Sequence, residues 1–201
     1  MVPVYCITLD PQGKRAQRTV DEFRPYGVTP TLVRGINAPK FGIRTSIKLK
    51  DHEGAPYYIA PTVCGCTLSH WMLWNFLLLN KVPEALIVED DVKLCLGFQA
   101  EFDKSYAELP ANWEFTFVGC CCADGRLSLP VTARISEIQW PLCTHCYLVK
   151  ASALEKMMEP MAELRTPTDI ALVENVFEKQ IVKAYTMRPN LALQYDTYIP
   201  P

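Results

Sequence analysis

Apolar and polar positions along the chain switch between two periods. Pro3–Asp10, "PVYCITLD", is apolar and β-prone and predicts a strand, closed by a "PQG" turn. Lys14–Tyr26 follows with Ala16, Val20 and Phe23 at helical spacing, and Val28–Ile36 predicts a second strand. A strand, helix, strand order of this kind implies a parallel pair joined by a right-handed crossover. Thr62–Asn80 predicts a helix, with Thr62 as its N-cap after Pro61. That segment is apolar on nearly every side, so deep cover is expected. Ala85–Asp90, "ALIVED", predicts a third strand and Trp113–Gly119 a fourth. Ala133–Gln139, Thr144–Lys150 and Ile181–Met187 predict further strands, and 152–164 and 168–180 predict helices.

Between these elements, residues 37–61 mix Pro, Gly, charge and Tyr without a period and read as one long loop. The tail from Leu191 reads as irregular. Alternating strands and helices place the chain in the α/β class, as a single domain over 1–201 with a mixed, mostly parallel central sheet flanked by helices. The less regular half, 120–201, suits an acceptor-side region, and the chain could be one domain of a longer protein.

Composition narrows the picture. The 201 residues are 49% hydrophobic with a net charge of −2, enough for a sizeable core and no footprint for nucleic acid. The longest apolar run, Trp71–Leu79, is shorter than the roughly 20 residues a membrane span needs, so no span is expected. The nine cysteines are an odd number without a secretory leader, which predicts reduced thiols in a cytoplasmic setting. Cys143 and Cys146 stand three apart on a strand, and Cys64 and Cys66 two apart on a helix. Neither spacing sets two thiols side by side for zinc.

The candidate chemistry sits in "ALIVEDDV", where an apolar strand runs into Glu89, Asp90 and Asp91. Ligands of open α/β sheets bind at the carboxyl ends of strands. Three carboxylates crowded there repel one another unless a cation is present. Mg²⁺ or Mn²⁺ takes oxygen ligands and often bridges carboxylates to phosphates. Strand alternation would send Glu89 and Asp91 to one side as metal ligands and Asp90 to the other.

Four segments, in order, resemble glycosyltransferase family 25, the lipooligosaccharide and collagen galactosyltransferase-like group. The first is "VYCITLDPQGKRAQRTVDEF", through Leu9, Asp10 and Arg15, with Thr8 where the family has Asn. The second is "CGCTLSHWMLW", through Gly65, Cys66, Leu68, Ser69 and His70. The third is "ALIVEDDV", and the fourth runs from "THCYLVK" to the Pro-x-Asp segment at Asp169. Asn37 departs from the family's Asp.

The resemblance implies a GT-A fold, a nucleotide-diphosphate sugar donor that is UDP-linked, Mn²⁺ or Mg²⁺, a glycan or glycoconjugate acceptor and inversion at the anomeric carbon. It implies metal ligation by Glu89 and Asp91, and donor contacts from Thr8, Asp10, Arg15, Ser69, His70 and Asp90. Asp169 is the candidate base, with Glu174 and Asp124 as rivals. A nucleotidyltransferase on a similar sheet would use the same acids, but "DPQGKR" is a poor Gly-rich phosphate loop. A degenerate sugar-binding module is the other alternative.

Overall fold

The structure is a computed structural model that describes residues 2–42, 48–50, 56–58, 60–121, 128–162 and 166–195. In chain order the elements are β1 (Val4–Thr8), α1 (Lys14–Phe23), β2 (Thr31–Arg34), β3 (Lys48–Lys50), β4 (Pro56–Tyr58), α2 (Pro61–Leu79), β5 (Glu84–Glu89) and β6 (Val92–Leu94). Then come α3 (Phe98–Ala107), β7 (Phe115–Cys121), β8 (Ser128–Pro130), β9 (Ile135–Ile138), β10 (Leu142–Lys150), α4 (Ala151–Met157), α5 (Thr168–Leu172), β11 (Ala184–Met187) and β12 (Ala192–Gln194).

Eight strands make the central sheet in the order β2-β1-β5-β10-β7-β11-β9-β8. The pairings make β2, β1, β5, β7, β11 and β8 point one way, with β10 and β9 reversed. The predicted parallel pairing of the first two strands is present, Tyr5 opposite Thr31. β5 lies on the other side of β1, Val4 opposite Leu86.

Strand alternation divides the core into two layers. Ala85 and Ile87 of β5 face α2, α4 and α5, among Leu73, Trp74, Leu77, Tyr147 and Leu154. Leu86 and Val88 face α1 and α3, among Phe23, Phe98 and Phe102. A strand covered on both faces needs an unbroken apolar run, which is why this one shows no alternation in sequence. Each large side chain buried this way contributes about 1.5–3 kcal/mol.

Several sequence expectations are corrected. Residues 37–61 hold a 3₁₀ turn at Ala38–Phe41 and the short antiparallel pair β3–β4, segments too brief to leave a periodic signal. The tail contributes β12, which pairs with β6. α2 starts at Pro61 after Ala60, so Thr62 lies inside the first turn and is not the cap. α2 is also not covered all round. Its sheet-facing side is buried, yet Met72, Phe76 and Leu79 are exposed. By length and composition alone this helix could cross a membrane. Here its buried face carries Thr67, Ser69 and His70 into the domain.

Not all thiols are free. Cys121 and Cys143 form a disulfide with Cα atoms 5.6 Å apart. They meet because Leu142 pairs with Cys121 and the β7–β10 register then shifts, with Cys143 in the left-handed region at φ 69°. The expectation that all the thiols are reduced is therefore corrected for Cys121 and Cys143.

Candidate functional site

The carboxyl ends of β1 and β5 lie side by side, and a cavity of about 400 Å³ opens there. Its wall includes Thr8, Asp10, Lys14 and Arg15 from the β1–α1 corner, and Ile36–Pro39 after β2. Cys66, Ser69 and His70 of α2 and Glu89 and Asp90 of β5 and its turn complete it. The candidates Thr8, Asp10, Arg15, Ser69, His70, Glu89 and Asp90 thus line one cavity. Asp91 and Asp169 stand outside the lining.

Glu89 continues the β5 alternation and points toward α2. Its Oε1 accepts from Thr144 Oγ1 at 2.8 Å and lies 3.3 Å from His70 Nε2. Burial alone would raise its carboxyl pKa, but His70 and Thr144 outweigh that and hold it below the usual range. His70 is fully buried. Its Nδ1 is 2.8 Å from Tyr147 Oη, and Trp74 Nε1 donates to the same oxygen at 2.9 Å. An indole N–H can only donate. The neutral arrangement that satisfies every group runs Trp74 to Tyr147, Tyr147 to His70 Nδ1, and His70 Nε2–H to Glu89. Burial lowers the imidazole pKa, while Tyr147, Cys66 and Glu89 pull it above its ordinary value.

β5 ends at Glu89, and the chain turns at Asp90 and Asp91 before β6. The turn breaks the period of two. Asp91 therefore does not side with Glu89 as alternation predicts; it joins Asp90 around Arg15. The Arg15 guanidinium lies 2.7 Å from Asp90 Oδ1 and 3.2 Å from Asp91 Oδ2. Thr8 Oγ1 donates to Asp90 Oδ2 at 2.6 Å. The Asp91 backbone is pinned from the tail, its carbonyl accepting from Tyr195 N at 2.7 Å.

Asp91 Oδ1 is buried and finds no partner among the described residues. Burial and then the Glu89 charge push its carboxyl pKa up to about 6, with Arg15 opposing and Asp90 adding to the rise. A buried acceptor without a donor, beside two further carboxylates, is the donor set a hard divalent cation satisfies. Asp90 and Asp91 suit such an ion, whereas Glu89 faces His70 and Thr144 and does not converge with them.

Ser69 acts within the wall. Its hydroxyl donates to Gly65 O at 2.6 Å and accepts from Ile36 N at 2.8 Å. Gly65 allows that approach, since a Cβ there would lie 2.4 Å from Ile36 O. Asp169, in the first turn of α5, accepts from Cys143 N at 2.8 Å through Oδ2 and from Ile170 N through Oδ1. Of the rival bases, Glu174 sits in the π-helical turn after α5, and Asp124 lies outside the described residues. Sequence reading missed Thr144, Tyr147 and Trp74 as partners of the site. Only the "THCY" spacing hinted at them, because Thr144 and Tyr147 reach it through β10 pairing with β5.

The sequence model of glycosyltransferase family 25 (LPS biosynthesis protein) matches residues 1–121, which include every cavity-lining candidate. Human procollagen galactosyltransferase 2 is 23% identical over 150 residues, covering 63% of this chain and 23% of that protein. Procollagen galactosyltransferase 1 of Danio rerio is 22% identical over 129 residues, covering 59% and 21%. The chain thus spans less than a quarter of the length of these curated relatives. A glycosyltransferase involved in the glycosylation of the major capsid of PBCV-1 shares the fold, with TM-score 0.57, 13% identity and 98% and 94% of the two chains covered. A Bacillus anthracis protein assigned as a glucose-1-phosphate thymidylyltransferase, in complex with sucrose, gives TM-score 0.50 at 11% identity, covering 99% and 92%.

Proposed function

The chain belongs to glycosyltransferase family 25, and we propose that it moves a hexose, galactose- or glucose-like, from a UDP-sugar to a hydroxyl of a glycan or glycoconjugate, with inversion. The observation that carries this reading is one cavity holding both signs of charge. Lys14 and Arg15 offer cations at the start of α1, and Glu89 and Asp90 offer anions at the end of β5.

Asp91 and Asp90 are the residues that would hold Mn²⁺ or Mg²⁺, with Glu89 reaching the ion through water. Bound there, the ion would neutralise the diphosphate as it leaves. Arg15, half-exposed at the cavity mouth, is free to swing from Asp90 and Asp91 to a phosphate. Thr8 holds Asp90 in place, and Asp10 and Asp90 stand where a ribose or sugar hydroxyl can donate to them. His70 and Thr144 fix the Glu89 carboxylate, and Ser69 ties α2 to the Ile36–Pro39 wall. The acceptor hydroxyl attacks the anomeric carbon as the bond to the diphosphate oxygen breaks. Asp169 is proposed to take the hydroxyl proton, using lone pairs not occupied by Cys143 N and Ile170 N.

The test is transfer and donor hydrolysis with a panel of nucleotide sugars, with and without Mn²⁺. One donor consumed only with the cation, and an inverted product by NMR, support the reading. Pyrophosphate release from a nucleoside triphosphate would instead favour the nucleotidyltransferase alternative. Saturable donor binding without turnover would favour the degenerate module.

A further inference from the structure

We infer that the cavity wall carries a second metal site of softer character, in which Cys66 Sγ, His70 Nε2 and Glu89 Oε1 take a zinc-like transition-metal ion. The three ligand atoms all lie within 4.8 Å of one another. Cys66 and His70 stand one turn apart on α2, so their side chains share a face. Glu89 meets that face because β5 alternation sends it toward α2. All three line the same cavity, so a fourth coordination position opens into it. Thiolate, imidazole and carboxylate together suit Zn²⁺ rather than Mg²⁺. Three protein ligands and one open position describe an accessible zinc site and not a closed structural one.

Each ligand also has its own outer partner, as metal ligands generally do. Thr168 Oγ1 lies 3.9 Å from Cys66 Sγ, Tyr147 Oη 2.8 Å from His70 Nδ1, and Thr144 Oγ1 2.8 Å from Glu89 Oε1. An ion on Nε2 places the imidazole proton on Nδ1, where Tyr147 Oη can accept it. A second cluster, Cys121, Cys143 and His145, is equally tight, but its two sulfurs are bonded to each other. The proposal shares Glu89 with the transferase reading and takes Cys66 as a ligand that reading does not use.

The experiment is a Co²⁺ titration of the metal-free chain in excess Mg²⁺, which fills sites built from oxygen alone. The expected result is one equivalent of cobalt with a thiolate-to-metal charge-transfer band and strong visible bands of a four-coordinate ion, both displaced by Zn²⁺. Cys66→Ser should remove the charge-transfer band. Thr144→Val should keep the band and weaken zinc binding by about 10–100-fold. A band that survives Cys66→Ser, or no saturable cobalt binding, overturns the site. Should Cys66→Ser fail to melt cooperatively, alkylation of the unmodified chain decides the question by peptide mapping. Zinc that shields Cys66 supports the site, and zinc that leaves its labelling rate unchanged overturns it.

Discussion

Thr8 Oγ1 and Asp90 Oδ2, 82 residues apart in sequence, are joined by a hydrogen bond of 2.6 Å. The bond ties the carboxyl ends of two adjacent parallel strands and sets the first turn acid against Arg15. A hydroxyl donating to a carboxylate contributes about 1.5–3 kcal/mol when partly buried. Thr8→Val keeps the side-chain shape and removes the donor. Its unfolding free energy, read from urea melts, should fall by about that amount, and KM for the donor should rise.

Asp91→Asn separates function from fold. The buried, unpartnered Oδ1 means the carboxylate adds little to the stability of the metal-free chain. The melting temperature without cation should therefore hold or rise. Stabilisation by Mn²⁺ should shrink, and transfer should fall by about 100-fold or more. Transfer unchanged in this variant would remove Asp91 from the proposed cation site.

The pH dependence follows with a definite sign. The folded-state pKa of Asp91 is raised to about 6, above the ordinary value of an aspartate carboxyl. For an acid shifted this way, the folded chain holds the proton longer than the unfolded chain. Its contribution is most favourable below the unfolded pKa and is lost as pH rises toward 6. Urea midpoints of the metal-free chain should carry this decline, and Asp91→Asn should flatten it. Cation affinity should rise over the same window, because the ion takes the ionised form.

Tyr147→Phe tests the buried chain behind Glu89. The substitution conserves volume but leaves Trp74 Nε1 and His70 Nδ1 without their shared partner. The expected cost is about 1–3 kcal/mol in chemical denaturation, at unchanged m-value. A smaller loss would mean the two nitrogens find other partners.

Gly65→Ala tests the closest contact of the cavity wall. The added Cβ would press on a backbone carbonyl, which cannot rotate aside as a side-chain end can. A loss of about 1–3 kcal/mol is expected. Donor binding should weaken as Ile36–Pro39 shifts, measured by calorimetry under conditions where the variant remains folded.

Much of the first half was legible in sequence. β1, α1, β2, α2 and β5 fall where their periods place them, and the acids stand at the end of β5 as the unbroken "ALIV" run implies. Short pieces were lost: β3, β4, β6 and β12 have three residues each, too few for any period to emerge. The direction of Asp91 was lost for a different reason. Alternation holds only while a strand continues, and the chain leaves β5 at Glu89. The cysteines were misread because pairing of Cys121 with Cys143 depends on a register shift between β7 and β10.

The sequence by itself determined the layered α/β class, the helix that carries Ser69 and His70, and the acidic edge of the sheet. These follow from periodicity and local composition, which act over a few residues. Only the tertiary structure decided that Glu89 faces His70 and Thr144, that Arg15 spans Asp90 and Asp91, and that Cys66 joins the wall. Such meetings depend on strand order and register, where side chains far apart in the chain come within 3.3 Å, and no local pattern carries that distance.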